Sequence, residues 1–227
     1  MQIHSKKDYD IAMIKAILFD YDDTLGNREL TAYNTYSLLI EEYANTSDEY
    51  LKEAMKQDCM IWDQRGNCDK NYVKDRLNEV YNLNLDIEDM WVWWRKNVGQ
   101  FATNYPEVRE TLLKLKEKYL LACLTNGSNQ SQYQKLETSN ILDCFDYIIT
   151  SEQAQSFKPD KAMFEYALKA LNITNEEAIY IGDTFSADII GAHNAGIQCI
   201  WLAPENRPCK LNIKRISHIK ELLEELC

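Results

Sequence analysis

Residues 16–27 read AILFDYDDTLGN, an apolar run that closes on Asp20, Asp22 and Asp23. Carboxylates this close repel one another. Burying even one without a partner costs enough that it takes up a proton or finds a cation. Other apolar runs also end on polar residues: YLLACLT on Thr125, with Asn126 next, and AIYIGD on Asp183. Lys158 follows the shorter run YIIT (147–150), in a loop just before Pro159. A carboxylate can attack phosphorus to give an aspartyl phosphate, splitting one hard displacement into two easier ones. Asp20, at the strand tip, is the candidate nucleophile. Asp22, two residues on, is the candidate acid/base on the far side of the transferred group, its pKa raised by the neighbouring Asp20. A divalent cation would offset the repulsion. Mg²⁺ is usually held by one or two carboxylates with phosphate and water, which suits Asp20, Asp183 and the backbone carbonyl of Asp22. Lys158 supplies fixed positive charge, and Thr125 with the N–H groups of Asn126 and Gly127 suits phosphoryl oxygens. Phosphomonoester hydrolysis asks an enzyme for on the order of 20 kcal/mol or more, beyond the reach of one carboxylate.

These residues must be brought together by their elements. IKAILFD (14–20) has the length and composition of a strand buried on both faces, and 119–125, 178–183 and 198–203 repeat the pattern. Helical patterns start at Pro106, Lys158 and Ser186, with Pro106 suited to a first helical turn and Gly196 to a C-terminal cap. Such alternation predicts an α/β fold, a Rossmann-like parallel sheet with helices on both faces. The carboxyl ends of its strands share one edge, where ligands bind. Residues 27–101 break the alternation with helical segments near 28–43, 47–63, 69–82 and 86–99, separated by NTSD, RGNCD and NLNLD. The expected organisation is a core of 1–26 and 102–227 with a helical cap of 27–101, which would sit above the strand ends.

The 227 residues are 45% hydrophobic, enough for a substantial core. A formal net charge of −11 argues against nucleic acid, whose binding draws on clustered Lys and Arg, but leaves room for a small anionic substrate. Seven cysteines without a CxxC pair, and no apolar stretch of signal length in 1–13, predict a cytoplasmic protein without a membrane span. Met13, just ahead of the first strand, is an alternative start to Met1.

The set DYDDTL (20–25), LTNGS (124–128), FKPDKAMF (157–164) and YIGDTFSADIIGAHNAGIQCIWL (180–202) resembles the haloacid dehalogenase-like hydrolase superfamily. All four of its motifs occur in order, and the resemblance covers nearly the whole chain. It implies Asp20 as nucleophile, Asp22 as acid/base, Thr125 and Lys158 at the phosphate, and Asp183 as metal ligand. Asp188 would orient the metal shell or Lys158. The dehalogenases that name the superfamily generally lack an acid at the position of Asp22 and work without metal, so Asp22 favours phosphoryl chemistry with Mg²⁺. The insert resembles the helical cap of the small-molecule phosphatases. DYDDTL, the Trp and Gly of IWDQRG and the long final motif are similar to pyrimidine 5′-nucleotidases, which implies a nucleoside monophosphate as substrate. A phosphosugar mutase on the same core and a receiver-like phospho-acceptor are the competing readings.

Other residues divide between chemistry and packing. Asp23 suits a turn. Trp91 and Trp94, three apart, share a helical face and suit the cap core with Trp62, leaving Trp93 as the candidate for stacking on substrate. Arg65 and Asn67 lie in a turn, where they either reach the substrate or are simply solvated. His4, His193 and His218 form no metal motif, and ISHIKELLEELC (216–227) has helical spacing.

Overall fold

The computed structural model describes residues 11–227. His4, Met1 and the rest of the leading segment lie outside the described residues. The described residues divide into two compact units: residues 11–25, 105–129 and 141–227 form one, residues 26–104 and 130–140 the other.

In the first unit the apolar runs form a parallel sheet. Its strands are β1 (Ala16–Phe19), β2 (Leu120–Thr125), β3 (Tyr147–Thr150), β4 (Ala178–Gly182), β5 (Gln198–Leu202) and β6 (Arg215–Ile216), in the order β3-β2-β1-β4-β5-β6. The order reverses at β1, so the ends of β1 and β4 flank the switch point where open α/β sheets bind ligands. Ala16, Leu18, Ala122, Leu124, Ala178 and Tyr180 pack in one cluster with Phe164, Ala167 and Ala192. Their strand neighbours Ile17, Phe19, Leu121, Cys123, Ile179 and Ile181 are equally buried. The sheet is therefore covered on both faces, which is why its strands read as continuous apolar runs rather than as alternation.

Helices α5 (Val108–Lys116), α7 (Ser151–Ala154), α8 (Lys161–Leu171), α9 (Ile190–Asn194) and α10 (Leu222–Leu226) follow among the strands, while α6 (Asn129–Thr138) belongs, all but its first residue, to the second unit. α5 starts two residues after Pro106, which lies outside it; Glu107 at its N-cap takes a left-handed φ of 65°. Gly196, with φ 71°, follows α9 and donates to the His193 carbonyl at 3.0 Å, closing that helix. Among the described residues no helix is long and apolar enough to cross a membrane.

In the second unit α1 (Arg28–Tyr43), α2 (Glu49–Asp63), α3 (Lys70–Tyr81) and α4 (Met90–Asn97) pack around Tyr36, Leu39, Ile40, Leu77 and Trp94. Asn27, Asp48, Asp69 and Asp89 accept hydrogen bonds from the first N–H groups of these helices, each cap offsetting donors the helix cannot use. α4 begins at Met90, later than the expected 86, because Asp89 rather than Asp86 is its cap. Asp63 is buried at the centre of an ionic knot. Oδ2 accepts from Arg28 at 2.6 Å and from the Gly66 N–H at 2.7 Å; Oδ1 accepts from Tyr36 at 2.8 Å and from Lys70. Burial works against the Asp63 charge, but Arg28 and Lys70 together hold its pKa below the ordinary value. At Lys70 burial outweighs the pull of the single Asp63 anion, Arg28 adds repulsion, and the pKa falls.

Candidate active site

β1 delivers Asp20 to the sheet edge, and the Asp20 N–H bonded to the Ile181 carbonyl at 2.9 Å ties that residue to β4. Asp183 follows β4 directly. The chain then makes a π-helical turn, Phe185–Ile189, in which Asp188 N–H bonds Thr184 O at 2.7 Å and Thr184 N–H bonds Asp188 Oδ2 at 2.9 Å. Such turns are rare and recur at functional sites. This one carries the Asp188 carboxylate back over Gly182.

The three carboxylates of Asp20, Asp183 and Asp188 are buried, and each offers an oxygen within 4.8 Å of the others. Lys158, 5% exposed, stands among them, its Nζ 2.5 Å from Asp20 Oδ1 and 2.8 Å from Asp188 Oδ1. Burial pushes the Asp20 pKa up; Lys158 opposes this, and the charges on Asp188 and Asp183 add to it. Burial works against the Lys158 charge as well, but Asp188 and Asp20 outweigh it and its pKa rises. One ammonium thus faces three carboxylates, and the site favours additional positive charge. Hard oxygen donors packed this closely fit Mg²⁺.

Thr125 ends β2, beside β1, and is 1% exposed. Asn126 projects its side chain onto the Lys158 main chain, with Lys158 N–H donating to Asn126 Oδ1 at 2.8 Å and Asn126 Nδ2 donating to Lys158 O at 3.2 Å. The amide thereby fixes the loop that carries the lysine. The Gly127 N–H, expected to point at phosphate, donates to Ser151 Oγ at 2.9 Å. Asp22 is half-buried just past β1, and Asp23 takes a left-handed φ of 61° in the turn, where Tyr105 Oη donates to its Oδ1 at 3.3 Å. Trp93 and Arg65 belong to the second unit. Trp93 packs against that unit's apolar cluster with Trp62 and Trp91, while Arg65 is exposed in a run of left-handed residues from Gln64 to Gly66.

Sequence reasoning missed Tyr180 and Trp201. Tyr180, wholly buried in β4, accepts from Lys158 Nζ at 3.0 Å and donates to Asp188 Oδ1 at 2.9 Å. Burial, with Asp188 and Asp20 nearby, keeps the phenol protonated by pushing its pKa well up. Its signal was a lone hydroxyl in the strand that ends on Asp183. Trp201, in β5, donates from Nε1 to the Asp183 carbonyl at 2.8 Å and packs edge-on against Phe185.

Carboxylates and a lysine gathered at the switch point of a parallel sheet define a Rossmann-like α/β protein with a buried acidic site at its strand ends. The chain belongs to the haloacid dehalogenase-like hydrolases, whose family profile matches residues 17–202. It is 30% identical to a glyceraldehyde 3-phosphate phosphatase of Pyrococcus furiosus, across 83% of this chain and 80% of that protein. It is 31% identical to a pyrimidine 5′-nucleotidase of Escherichia coli, over 57% of this chain and 60% of the other. Its fold is similar to that of a magnesium-bound HAD-hydrolase of Bacillus subtilis, at TM-score 0.76 and 22% identity, with 94% and 98% of the two chains covered.

Proposed function

We propose that this hydrolase is a phosphatase that cleaves a small phosphomonoester through an aspartyl phosphate on Asp20. The observation that carries the reading is the buried cluster in which Asp20 meets Lys158 beside Asp183 and Asp188. In the first half-reaction an Asp20 oxygen bonds to phosphorus as the ester P–O bond breaks, and Asp22 gives its proton to the leaving oxygen. In the second, water adds to phosphorus, Asp22 takes the water proton, and the bond to Asp20 breaks to release inorganic phosphate. Lys158 and Thr125 hold the phosphoryl oxygens, and preorganised charge of this kind is often the largest catalytic contribution. Asp20 and Asp183, with the Asp22 carbonyl, would hold Mg²⁺, which neutralises phosphate charge when bound. Asp188 bonds Lys158 directly, which supports a positioning role for it.

The substrate class is a nucleoside monophosphate. The Escherichia coli nucleotidase supports it, and the glyceraldehyde 3-phosphate phosphatase supports the broader class of small phosphorylated metabolites. Trp93 and Arg65 are the cap residues proposed to contact it. Seven free thiols suit a cytoplasmic setting. Phosphate release from a panel of nucleotides and sugar phosphates, with and without Mg²⁺, tests the reading. Nucleoside monophosphates should turn over with Mg²⁺, and Asp20→Asn should abolish turnover in a folded protein. Appreciable activity in that variant removes Asp20 as nucleophile, and conversion of a sugar phosphate to its isomer without phosphate release makes the protein a mutase.

A further inference from the structure

A lysine ammonium carries three protons on a flexible stem, so where it stands depends on what accepts them. At Lys158 all three have acceptors: Asp20 Oδ1 at 2.5 Å, Asp188 Oδ1 at 2.8 Å and the Tyr180 hydroxyl at 3.0 Å. The hydroxyl passes its own proton to Asp188 Oδ1 at 2.9 Å, with the Leu124 carbonyl a longer alternative at 3.4 Å. Lysine, tyrosine and aspartate therefore close a triangle. The Tyr180 ring is anchored by Phe164, edge-on at a centroid distance of 5.2 Å, and nothing of it reaches solvent.

We propose that Tyr180 is a positioning residue for the phosphoryl-transfer reaction, its hydroxyl holding the Lys158 ammonium at Asp20 in both half-reactions. The proposal rests on Asp20 being the nucleophile. When Asp20 forms its bond to phosphorus, the carboxylate gives up the charge that holds Lys158 most closely. Asp188 and Tyr180 then remain to keep the ammonium where the transferring phosphoryl group needs it. Asp188 alone gives one contact and a free rotor; Tyr180 supplies the second contact that fixes direction. Water cannot take the place of the hydroxyl without opening the core, because Lys158, Tyr180 and Asp188 are all buried. An interaction of this kind acts on the rate of the chemical steps rather than on substrate binding.

The test is Tyr180→Phe in the full chain, compared with wild type on its best phosphomonoester in saturating Mg²⁺. A hydrogen bond to a charged group sets the expected loss in kcat at about tenfold to a hundredfold. KM should stay within about threefold, and Tm within about 10 °C. Tyr180→Met, also without a hydroxyl, takes the same test if the Phe variant folds poorly. Wild type that hydrolyses no phosphomonoester overturns the phosphatase reading itself. Active wild type with kcat within twofold in the folded variant overturns the role of Tyr180 alone. A rise in KM at unchanged kcat, or loss of folding in both variants, also overturns it by making the hydroxyl a binding or folding element.

Discussion

Gly182 ends β4 one residue before Asp183, and a methyl group there would stand 2.4 Å from Asp188 Cγ and 2.6 Å from Oδ2. Carbon atoms settle at roughly 3.5–4.0 Å, so Gly182→Ala requires Asp188 to retreat by about 1 Å. Its carboxylate is held at both ends, Oδ2 by the Thr184 N–H and Oδ1 by Lys158 and Tyr180, so the retreat drags the lysine with it. Gly182 does not sit at a left-handed φ, which leaves the steric contact as the source of the effect. Overpacking of this kind costs about 1–3 kcal/mol, or roughly 2–12 °C in Tm for a chain of this size. A misplacement of about 1 Å among groups that position a reaction costs on the order of a hundredfold in rate. Gly182→Ala should therefore fold, melt a few degrees lower, and lose about a hundredfold in kcat at saturating substrate and Mg²⁺. Phosphate release and thermal melting by circular dichroism measure the two effects. A folded variant with kcat within threefold of wild type would refute the argument that Asp188 governs the placement of Lys158.

Asn126→Ala removes both side-chain bonds to the Lys158 main chain, and kcat should fall about tenfold with Tm changed by a few degrees; unchanged kcat shows that the loop holds Lys158 without it. Asp63→Ala strands the buried Lys70 ammonium and the Tyr36 hydroxyl, which should cost about 3–5 kcal/mol in urea unfolding. A loss below about 1 kcal/mol means the knot is not a stabilising unit. The folded pKa of Asp63 lies below its unfolded value of about 3.9. Its contribution is therefore fully present above that value and is lost as pH falls through the folded pKa. The urea midpoint of wild type should drop below about pH 4 more steeply than that of Asp63→Asn, and parallel profiles would contradict the assignment. Asp183→Ala should weaken activity and its Mg²⁺ response together, and an unaltered response removes Asp183 from the ligand set.

The sheet was legible because strands buried on both faces leave uninterrupted apolar runs, and each ran within two residues of its observed bounds. α6 was not legible: its sequence NQSQYQKLET is too polar to show an apolar stripe, yet Ser131, Gln132 and Lys135 are buried in it. β6 is two residues long, below the length at which alternation can be read. The π-helical turn was missed for a different reason. Its hydrogen-bond spacing departs from the 3.6-residue period, so SADIIGAHNAG reads as one helix from Ser186 although α9 begins at Ile190. At the site, charged residues on strand ends announced themselves, whereas Tyr180 looked like one more core aromatic. Asn126 was visible as a polar residue beside the site, but no spacing rule says that a side chain will bond a main chain 32 residues on.

Lys158 lies 138 residues beyond Asp20. On a ribosome adding about 5–20 residues per second, the lysine emerges roughly 7–28 s after the aspartate. The apolar cluster from Ala32 to Val98 lies within one unbroken stretch and can condense during that wait. β1 cannot be paired on both edges, because its neighbour β2 (Leu120–Thr125) is made late in that wait and β4 (Ala178–Gly182) only after Lys158. Until β2 is made the nascent chain carries four apolar residues with two unpaired edges, and one edge stays open until β4, with acids alongside that still lack their counter-charge. DYDD therefore keeps charge beside an open strand edge before any of its carboxylates has met the lysine.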